Sequence, residues 1–102
     1  MDIIIQSLGF TASENLETFI RERVGKLENY GKIIRANVKL SQGSKRDSKD
    51  NSCEIRLEVP GNDLFLKKND LSFETAIIDA VDALQQVMIK EKGKRIDKRR
   101  GG

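Results

Sequence analysis

Several basic side chains occupy positions from which they could bind phosphate groups. Arg23 and Lys26 lie three residues apart in a segment with helical spacing, so they project side by side along its apolar stripe. A second group stands near the end of the last predicted helix and comprises Lys90, Lys92, Lys94 and Arg95. If the two helices are neighbours, these groups could line one groove, where phosphates would gain charge-assisted hydrogen bonds and release counterions. A solvated helix flank explains the same residues, because cations near a helix C-terminus also complement the helix dipole.

The charge of the chain is unevenly distributed. The 102 residues have a formal net charge of +3, but residues 1–89 hold 12 basic and 14 acidic side chains, whereas residues 90–102 hold 7 and 2. The body is therefore slightly acidic and the C-terminal segment strongly basic. A polyanion would have to be bound by a segregated face and by this segment, since the surface as a whole is not basic.

The composition argues against catalysis and against a bound cofactor. The sequence has no histidine and one cysteine, Cys53. Histidine is the commonest general base near neutral pH, so Ser-His, Cys-His and His-metal mechanisms are excluded. A zinc or iron-sulfur site would have too few soft ligands. We therefore predict no enzyme activity, no cofactor, no metal and no small-molecule substrate.

Length and hydropathy favour one soluble domain. A chain of 102 residues, 37% of them hydrophobic, can bury one core. No apolar run approaches the roughly 20 residues of a membrane span, and the first residues lack the features of a signal peptide. We predict a cytoplasmic protein without membrane contact, with a folded domain over residues 1–92. Residues 93–102 are predicted to be a basic tail that is disordered when free.

Periodicity predicts six elements in the order β-α-β-β-β-α. Strands with alternating apolar residues are expected from about Ile3 to Leu8, Ile34 to Leu40, Cys53 to Val59 and Leu64 to Lys68. Helices are expected from about Ala12 to Tyr30 and from Ser72 to about Lys92. Thr11 and Glu14 have the spacing of a capping box before the first helix, and Ser72 can cap the second. The segment from Gln42 to Ser52 is polar or glycine throughout and predicts a mobile loop.

The apolar stripes of these elements have to be buried together. Neither helix can bury its apolar stripe by itself. One face of the sheet is apolar, so both helices should pack on that face. The first two strands should be parallel and the remaining pairs antiparallel. The predicted fold class is α+β, a four-stranded mixed sheet with two helices on one face. Cys53 is predicted to be a small core residue, and Asp79 and Asp82 to lie on a solvated helix face.

Three segments together resemble one protein family. They are Phe19–Tyr30, the hairpin Val59–Phe65, and Asp70–Ile77 followed by Asp82-Ala83-Leu84. In order and spacing the chain resembles the ribosome hibernation-promoting factors, also called ribosome-associated inhibitor or sigma-54 modulation proteins, over nearly its whole length. It resembles their short form, without the linker and dimerisation domain of the long members.

The resemblance implies a bacterial stationary-phase or stress protein that binds the small ribosomal subunit. Such a protein contacts ribosomal RNA of the decoding region, where messenger and transfer RNA would lie, and so inhibits translation without catalysing a reaction. Off the ribosome it is expected to be monomeric. Arg23 and Lys26 match basic positions of the family's first helix, and Lys90, Lys92 and Lys94 match the basic end of its second.

The middle of the second helix departs from the family pattern. Family members commonly have lysine or arginine where this chain has Ala83, Gln85 and Gln86. This departure shifts the predicted RNA contacts toward Lys67, Lys68 and the C-terminal segment that includes Arg95.

Two other functions fit parts of the sequence. A protein-interaction or assembly module could use Ile78, Val87 and Ile89, which lie outside the main apolar stripe of the last helix. A free double-stranded RNA binder is the second alternative, because β-β-β-α is also the order in double-stranded RNA-binding domains. Those domains use lysines at the start of the last helix, whereas Glu74 stands near that start here and repels phosphate.

Overall fold

A computed structural model of the chain describes residues 1–43 and 50–101, with side chains described as far as Glu91. Within these residues the strands are β1 (Asp2–Leu8), β2 (Arg35–Ser41), β3 (Asn51–Glu58) and β4 (Leu64–Asp70). The helices are α1 (Glu14–Gly25), which continues into a 3₁₀ turn at Lys26–Tyr30, and α2 (Phe73–Gly101). The predicted element order, β-α-β-β-β-α, is confirmed.

The four strands form one mixed sheet in the order β1-β2-β3-β4. β1 is parallel to β2, and the other two pairs are antiparallel. Val38 lies opposite Ile5 on one side and Ile55 on the other, and Ile55 lies opposite Leu66. Because side chains alternate between the faces of a strand, this register places a continuous apolar row on one face of the sheet.

Both helices cover that apolar face, as the sequence predicted. Every second residue of β2 is buried, and so is the stripe of each helix. The largest fully buried side chains are Ile20, Leu27, Leu40, Ile55, Leu57, Ile77 and Leu84. Each contributes about 1.5–3 kcal/mol through removal from water, so this single layer supplies most of the stability. The opposite face of the sheet carries no helix among the described residues and is called here the open face.

The start of α1 differs from the prediction. Ser13, not Thr11, is the N-cap: its backbone is extended (φ −68°, ψ 158°), and its Oγ accepts a hydrogen bond from the Leu16 N–H at 3.1 Å. The predicted capping box is therefore wrong, because serine two residues later satisfies the free N–H group itself. The α-helix also ends at Gly25, after which the chain tightens into the 3₁₀ turn up to Tyr30.

Helix α2 begins as predicted and ends later than predicted. The Thr75 N–H donates to the Ser72 Oγ at 3.2 Å, so Ser72 caps the helix. The helix continues through Gly93 to Gly101, which corrects the expected end near Lys92. One glycine costs a helix only about 1 kcal/mol relative to alanine, and the lysines and arginines around it are good helix formers. Side chains from residue 92 onward lie outside the described residues, and the disorder of the free tail stays a prediction.

Asn51 ties the base of the β2–β3 connection to the start of α2. The Gly43 N–H donates to the Asn51 Oδ1 at 3.1 Å, and the Asn51 Nδ2 donates to the Leu71 carbonyl at 2.7 Å. Asn51 and Ser52 belong to β3, so the strand begins two residues earlier than predicted. Residues 44–49, the centre of the predicted mobile loop, lie outside the described residues.

The exposed edge of β1 is partly occupied by a side chain from α1. The Asp2 N–H points toward β2 and donates to the Ile34 carbonyl at 3.5 Å. Backbone groups alternate in direction along a strand, so those of Ile3 point away from the sheet. The Arg21 Nη1 donates to the Ile3 carbonyl at 3.2 Å. One of the free acceptors of this edge strand is therefore satisfied.

Two glycine substitutions should change stability in opposite directions. Gly61, in the β3–β4 turn, has φ +98°, where a side chain costs about 1–2 kcal/mol. Gly25 has helical angles (φ −58°, ψ −31°) and no atom within 4 Å of an added Cβ. Gly61→Ala should lower the free energy of unfolding by about 1–2 kcal/mol. Gly25→Ala should raise the free energy of unfolding by roughly 0.5–1 kcal/mol. Urea denaturation measures both, and destabilisation by Gly25→Ala would contradict this account.

The thiol of Cys53 should be inert in the folded protein. Burial, with a smaller contribution from the Glu54 charge, raises the pKa of Cys53 from 9.0 to about 12. Below pH 9 the thiol is protonated in both states; above it, the unfolded state releases its proton first, so stability falls as pH rises from about 9 toward 12. A thiol-reactive chromogen at pH 8 should react only on unfolding. The difference in the free energy of unfolding between the native protein and Cys53→Ala should decrease above pH 9. A difference that stays constant would contradict the raised pKa of Cys53.

Candidate nucleic-acid interface

One flank of α1 contacts strand β1. The Arg21 guanidinium donates to the Ile3 carbonyl, as described above, on this side of the helix. In the 3₁₀ turn that follows, the Glu28 carboxylate lies 3.1 Å from the N-terminal ammonium group of Met1. Burial of Leu16, Ile20 and Val24 fixes the rotation of α1 about its axis, and the Arg21 contact shows which flank faces β1. The directions of the other side chains follow from the helical period.

Arg23 of α1 and Lys26, the first residue of the 3₁₀ turn, lie on the other flank. An α-helix turns about 100° per residue, so Arg23 is about 200° from Arg21 and points away from β1. Since α2 packs over β3 and β4, this flank lies on the side of α2. The Arg23 guanidinium carbon is 5.1 Å from the centre of the Phe19 ring. Arg23 and Lys26 are exposed, and among the described residues no carboxylate pairs with either.

The two helices run side by side in the same direction. Phe10, just before α1, stacks on Phe73, the first residue of α2, with ring centres 4.8 Å apart and an interplanar angle of 12°. At the other end, Gly31 lies against Met88: a Cβ added to Gly31 would be 3.3 Å from the Met88 Cε. The two helices are therefore neighbours, which is the condition for a shared helical surface.

The end of the helix pair carries three exposed lysines, Lys26, Lys32 and Lys90, which we call the cationic end. Lys32 was not among the residues predicted from the sequence. It directly follows Gly31, the residue after the 3₁₀ turn, and the signal that could have found it is the preference for cations near helix C-termini. Two carboxylates of the described residues lie at the same end: Glu91, and Glu28 of the 3₁₀ turn, which is paired with the Met1 ammonium group.

The α2 surface that precedes Lys90 lacks positive charge. Counting back from Lys90 by four, seven and eleven residues gives the positions on the same side of the helix, and these are Gln86, Ala83 and Asp79. Asp79 is exposed, as the solvated-face prediction required. The cationic contribution of α2 is therefore confined, within the described side chains, to the end of the helix pair.

Lys67 and Lys68 point to opposite faces of the sheet. In the β3–β4 register, Lys68 lies opposite Cys53, which is buried on the helix side, and Lys67 lies opposite Glu54 on the open face. The Lys67 Nζ is 3.8 Å from one Glu54 carboxylate oxygen, and the Lys39 Nζ is 3.9 Å from the other. Lys67 is thus separated from Arg23 and Lys26 by the sheet.

The remaining predicted contacts are on the last part of α2. Lys92, Lys94 and Arg95 fall within its backbone range, and their side chains lie outside the described residues. Of the eight predicted RNA-binding residues, the structure therefore brings Arg23, Lys26 and Lys90 to the helix side, together with half-buried Lys68.

The open face of the sheet has charges of both signs. The Arg56 guanidinium carbon lies 5.8 Å from the centre of the exposed Phe65 ring. Glu58 accepts hydrogen bonds from the side chains of Asn37 at 2.9 Å and Arg35 at 3.4 Å. Three cations of this face are thus paired with neighbouring carboxylates, whereas no such pair is present for Arg23 or Lys26 among the described residues.

Comparison with known proteins assigns the chain to a family. A family model described as Sigma 54 modulation protein / S30EA ribosomal protein matches residues 3–96, and the chain belongs to that family. The search of curated proteins gives no match. Within the described residues, no helix has the length and apolar character needed to cross a membrane.

Two solved structures have the same fold. The N-terminal domain of Protein Y from Thermus thermophilus has a TM-score of 0.78 and 22% identity, covering 88% of this chain and 98% of that one. A ribosomal subunit interface protein from Coxiella burnetii has a TM-score of 0.79 and 11% identity, covering 91% and 99%. The fold class predicted from the sequence is confirmed, and family membership supports a role at the ribosome.

Proposed function

We propose that this protein binds the small ribosomal subunit in the cytoplasm and inhibits translation by occupying the decoding region. It acts as a ligand of ribosomal RNA, catalyses no reaction, and blocks the sites of messenger and transfer RNA during stationary phase or stress. Off the ribosome it is a monomer. The folded domain supplies the RNA contacts, and the basic C-terminal segment adds attraction to phosphate.

The proposal is carried by the match of residues 3–96 to a family of ribosome-associated proteins. It is supported by the positions of Arg23 and Lys26, which are exposed on the helix side and lack a carboxylate partner among the described residues. A guanidinium held over the Phe19 ring keeps its N–H groups free to donate to phosphate oxygens. Such contacts weaken steeply as salt rises, because binding releases counterions.

A free double-stranded RNA binder is a poorer fit. Glu74 is exposed at the start of α2, and Ser72 and Thr75 use their hydroxyl groups to bond to each other at 2.9 Å. A duplex that gripped this helix start would therefore meet a negative charge rather than lysines.

Removal of two charges from α1 should weaken ribosome binding. The double variant Arg23→Gln/Lys26→Gln should bind small subunits about 10- to 100-fold less tightly at low salt, since each charge-assisted hydrogen bond is worth about 1.5 kcal/mol or more. The slope of log affinity against log salt should also fall by about 2. Co-sedimentation with purified subunits through sucrose gradients measures both quantities.

A matched control comes from the open face. Lys39→Gln/Lys67→Gln removes the same two charges from residues that pair with Glu54, and it should leave binding within about twofold. Circular dichroism should show that both double variants are folded. Full binding by the α1 variant would reject the helix-side surface, and an equal loss in the control would reassign binding to the open face or to net charge.

Restoring a basic residue on α2 should strengthen binding. Gln86 is exposed and lies one turn before Lys90, so Gln86→Lys would extend the cationic end along the helix. We expect a severalfold gain in affinity for the small subunit and a rise of about 1 in the salt slope. Gln42→Lys, at an exposed site at the start of the β2–β3 connection, adds the same charge elsewhere and should have a smaller effect. Equal gains in both variants would contradict a localised surface.

A further inference from the structure

A groove of about 420 Å³ opens beside the cationic end. The turn after α1, the β3–β4 turn and the last described part of α2 form its walls. The residues that line the groove and determine its chemistry include Tyr30, Lys32, Val59, Asn62, Met88 and Glu91. Its volume is in the range of sites that hold small organic groups.

The inner surface of the groove is apolar and includes an aromatic ring. Met88 is buried, and Tyr30 and Val59 are half-buried against the core. Tyr30 is the last residue of the 3₁₀ turn and packs at the edge of the core. The same placement presents part of the Tyr30 side chain to the groove, and an aromatic ring beside a thioether is a surface on which a flat, polarisable group can stack.

The mouth of the groove combines a cation with hydrogen-bonding groups. Lys32 lines it, and Lys26 and Lys90 lie at the same end of the helix pair. Asn62 offers an amide that can donate and accept, and Glu91 offers a carboxylate that can only accept. A carboxylate repels phosphate, so its place beside these lysines favours a ligand that also has N–H donors over phosphate alone.

An unpaired nucleobase meets these requirements. Its ring can stack through its face, and the lysines attract the phosphates of the nucleotides that carry it. An exocyclic amino group on the base can donate to a carboxylate. We propose that the groove binds one unstacked base of a single-stranded RNA segment, and that Glu91 favours bases with an exocyclic amino group over uracil. The N3–H of uracil also donates, but it lies between two carbonyl oxygens that repel a carboxylate, whereas an exocyclic amino group projects beyond the ring. This inference deepens the proposed function, on which it rests, by naming a base-binding subsite next to the phosphate-binding surface.

The chain contains a natural probe of this site. Tyr30 is the sole tyrosine and there is no tryptophan, so the intrinsic fluorescence of the intact protein comes largely from the groove. We expect oligocytidylate and oligoadenylate, added as short oligomers, to quench the Tyr30 fluorescence until it reaches a plateau. Oligouridylate should bind at least about fivefold more weakly, a difference within the range of one base contact. An oligomer of abasic ribose phosphates should not quench.

Two substitutions at one position separate base recognition from charge. Glu91→Leu should raise the affinity for all oligomers and abolish the preference over oligouridylate. Glu91→Gln keeps an acceptor oxygen and should retain part of that preference. Arg23→Gln/Lys26→Gln should weaken binding of every oligomer by the same factor and leave the preference unchanged. Anisotropy of end-labelled oligomers measures the affinities.

Other outcomes would overturn the proposal. Equal quenching by the abasic oligomer, or an unchanged preference in Glu91→Leu, means that no base enters the groove. Fluorescence that changes with protein concentration alone means that a second copy fills it. If ribosome co-sedimentation fails while the base preference and its loss in Glu91→Leu persist, the groove stands and the ribosome assignment falls. If co-sedimentation holds without a base preference, the groove proposal alone is wrong.

Discussion

The structure depends on the burial of two helical stripes against one face of one sheet. A domain of this size has a single core, and here that core is the layer between the sheet and the helix pair. One-sided packing makes the molecule asymmetric: its helix side and its open face consist of different elements and have different chemistry. The function that a side chain can have therefore depends on whether it lies on the helix side or on the open face.

Most of the fold could be predicted because its signals are periodic. Alternation along β2 and β3, and the spacing of Ile20, Val24 and Leu27, report burial directly. The errors fall at element ends, where several residues compete. Thr11 and Ser13 can each cap α1, and geometry, not spacing, selects Ser13. Gly93 is a plausible end for α2, but the strong helix formers around it allow the helix to continue.

The candidate site was harder to predict than the fold, for a physical reason. Adjacent residues of a strand point in opposite directions, so Lys67 and Lys68 cannot belong to one surface, although both were predicted to contact RNA. Lys67 is further engaged by Glu54, a partner that only the strand register reveals. Lys32 comes to the end of α2 through the fold alone, because Gly31 packs against Met88 and no sequence period connects a residue after a turn with a distant helix.

The contact between Arg21 and Ile3 has a consequence for how the molecule behaves in a crowded solution. A sheet with two free edges invites a strand of another copy to extend it, and growth of that kind leads to fibres. The long arginine side chain occupies an outward carbonyl on one of those edges, where an incoming strand would need it. Strand addition at this edge must first displace a charged side chain, so α1, which exposes Arg23 on one flank, hinders intermolecular sheet growth with Arg21 on the other.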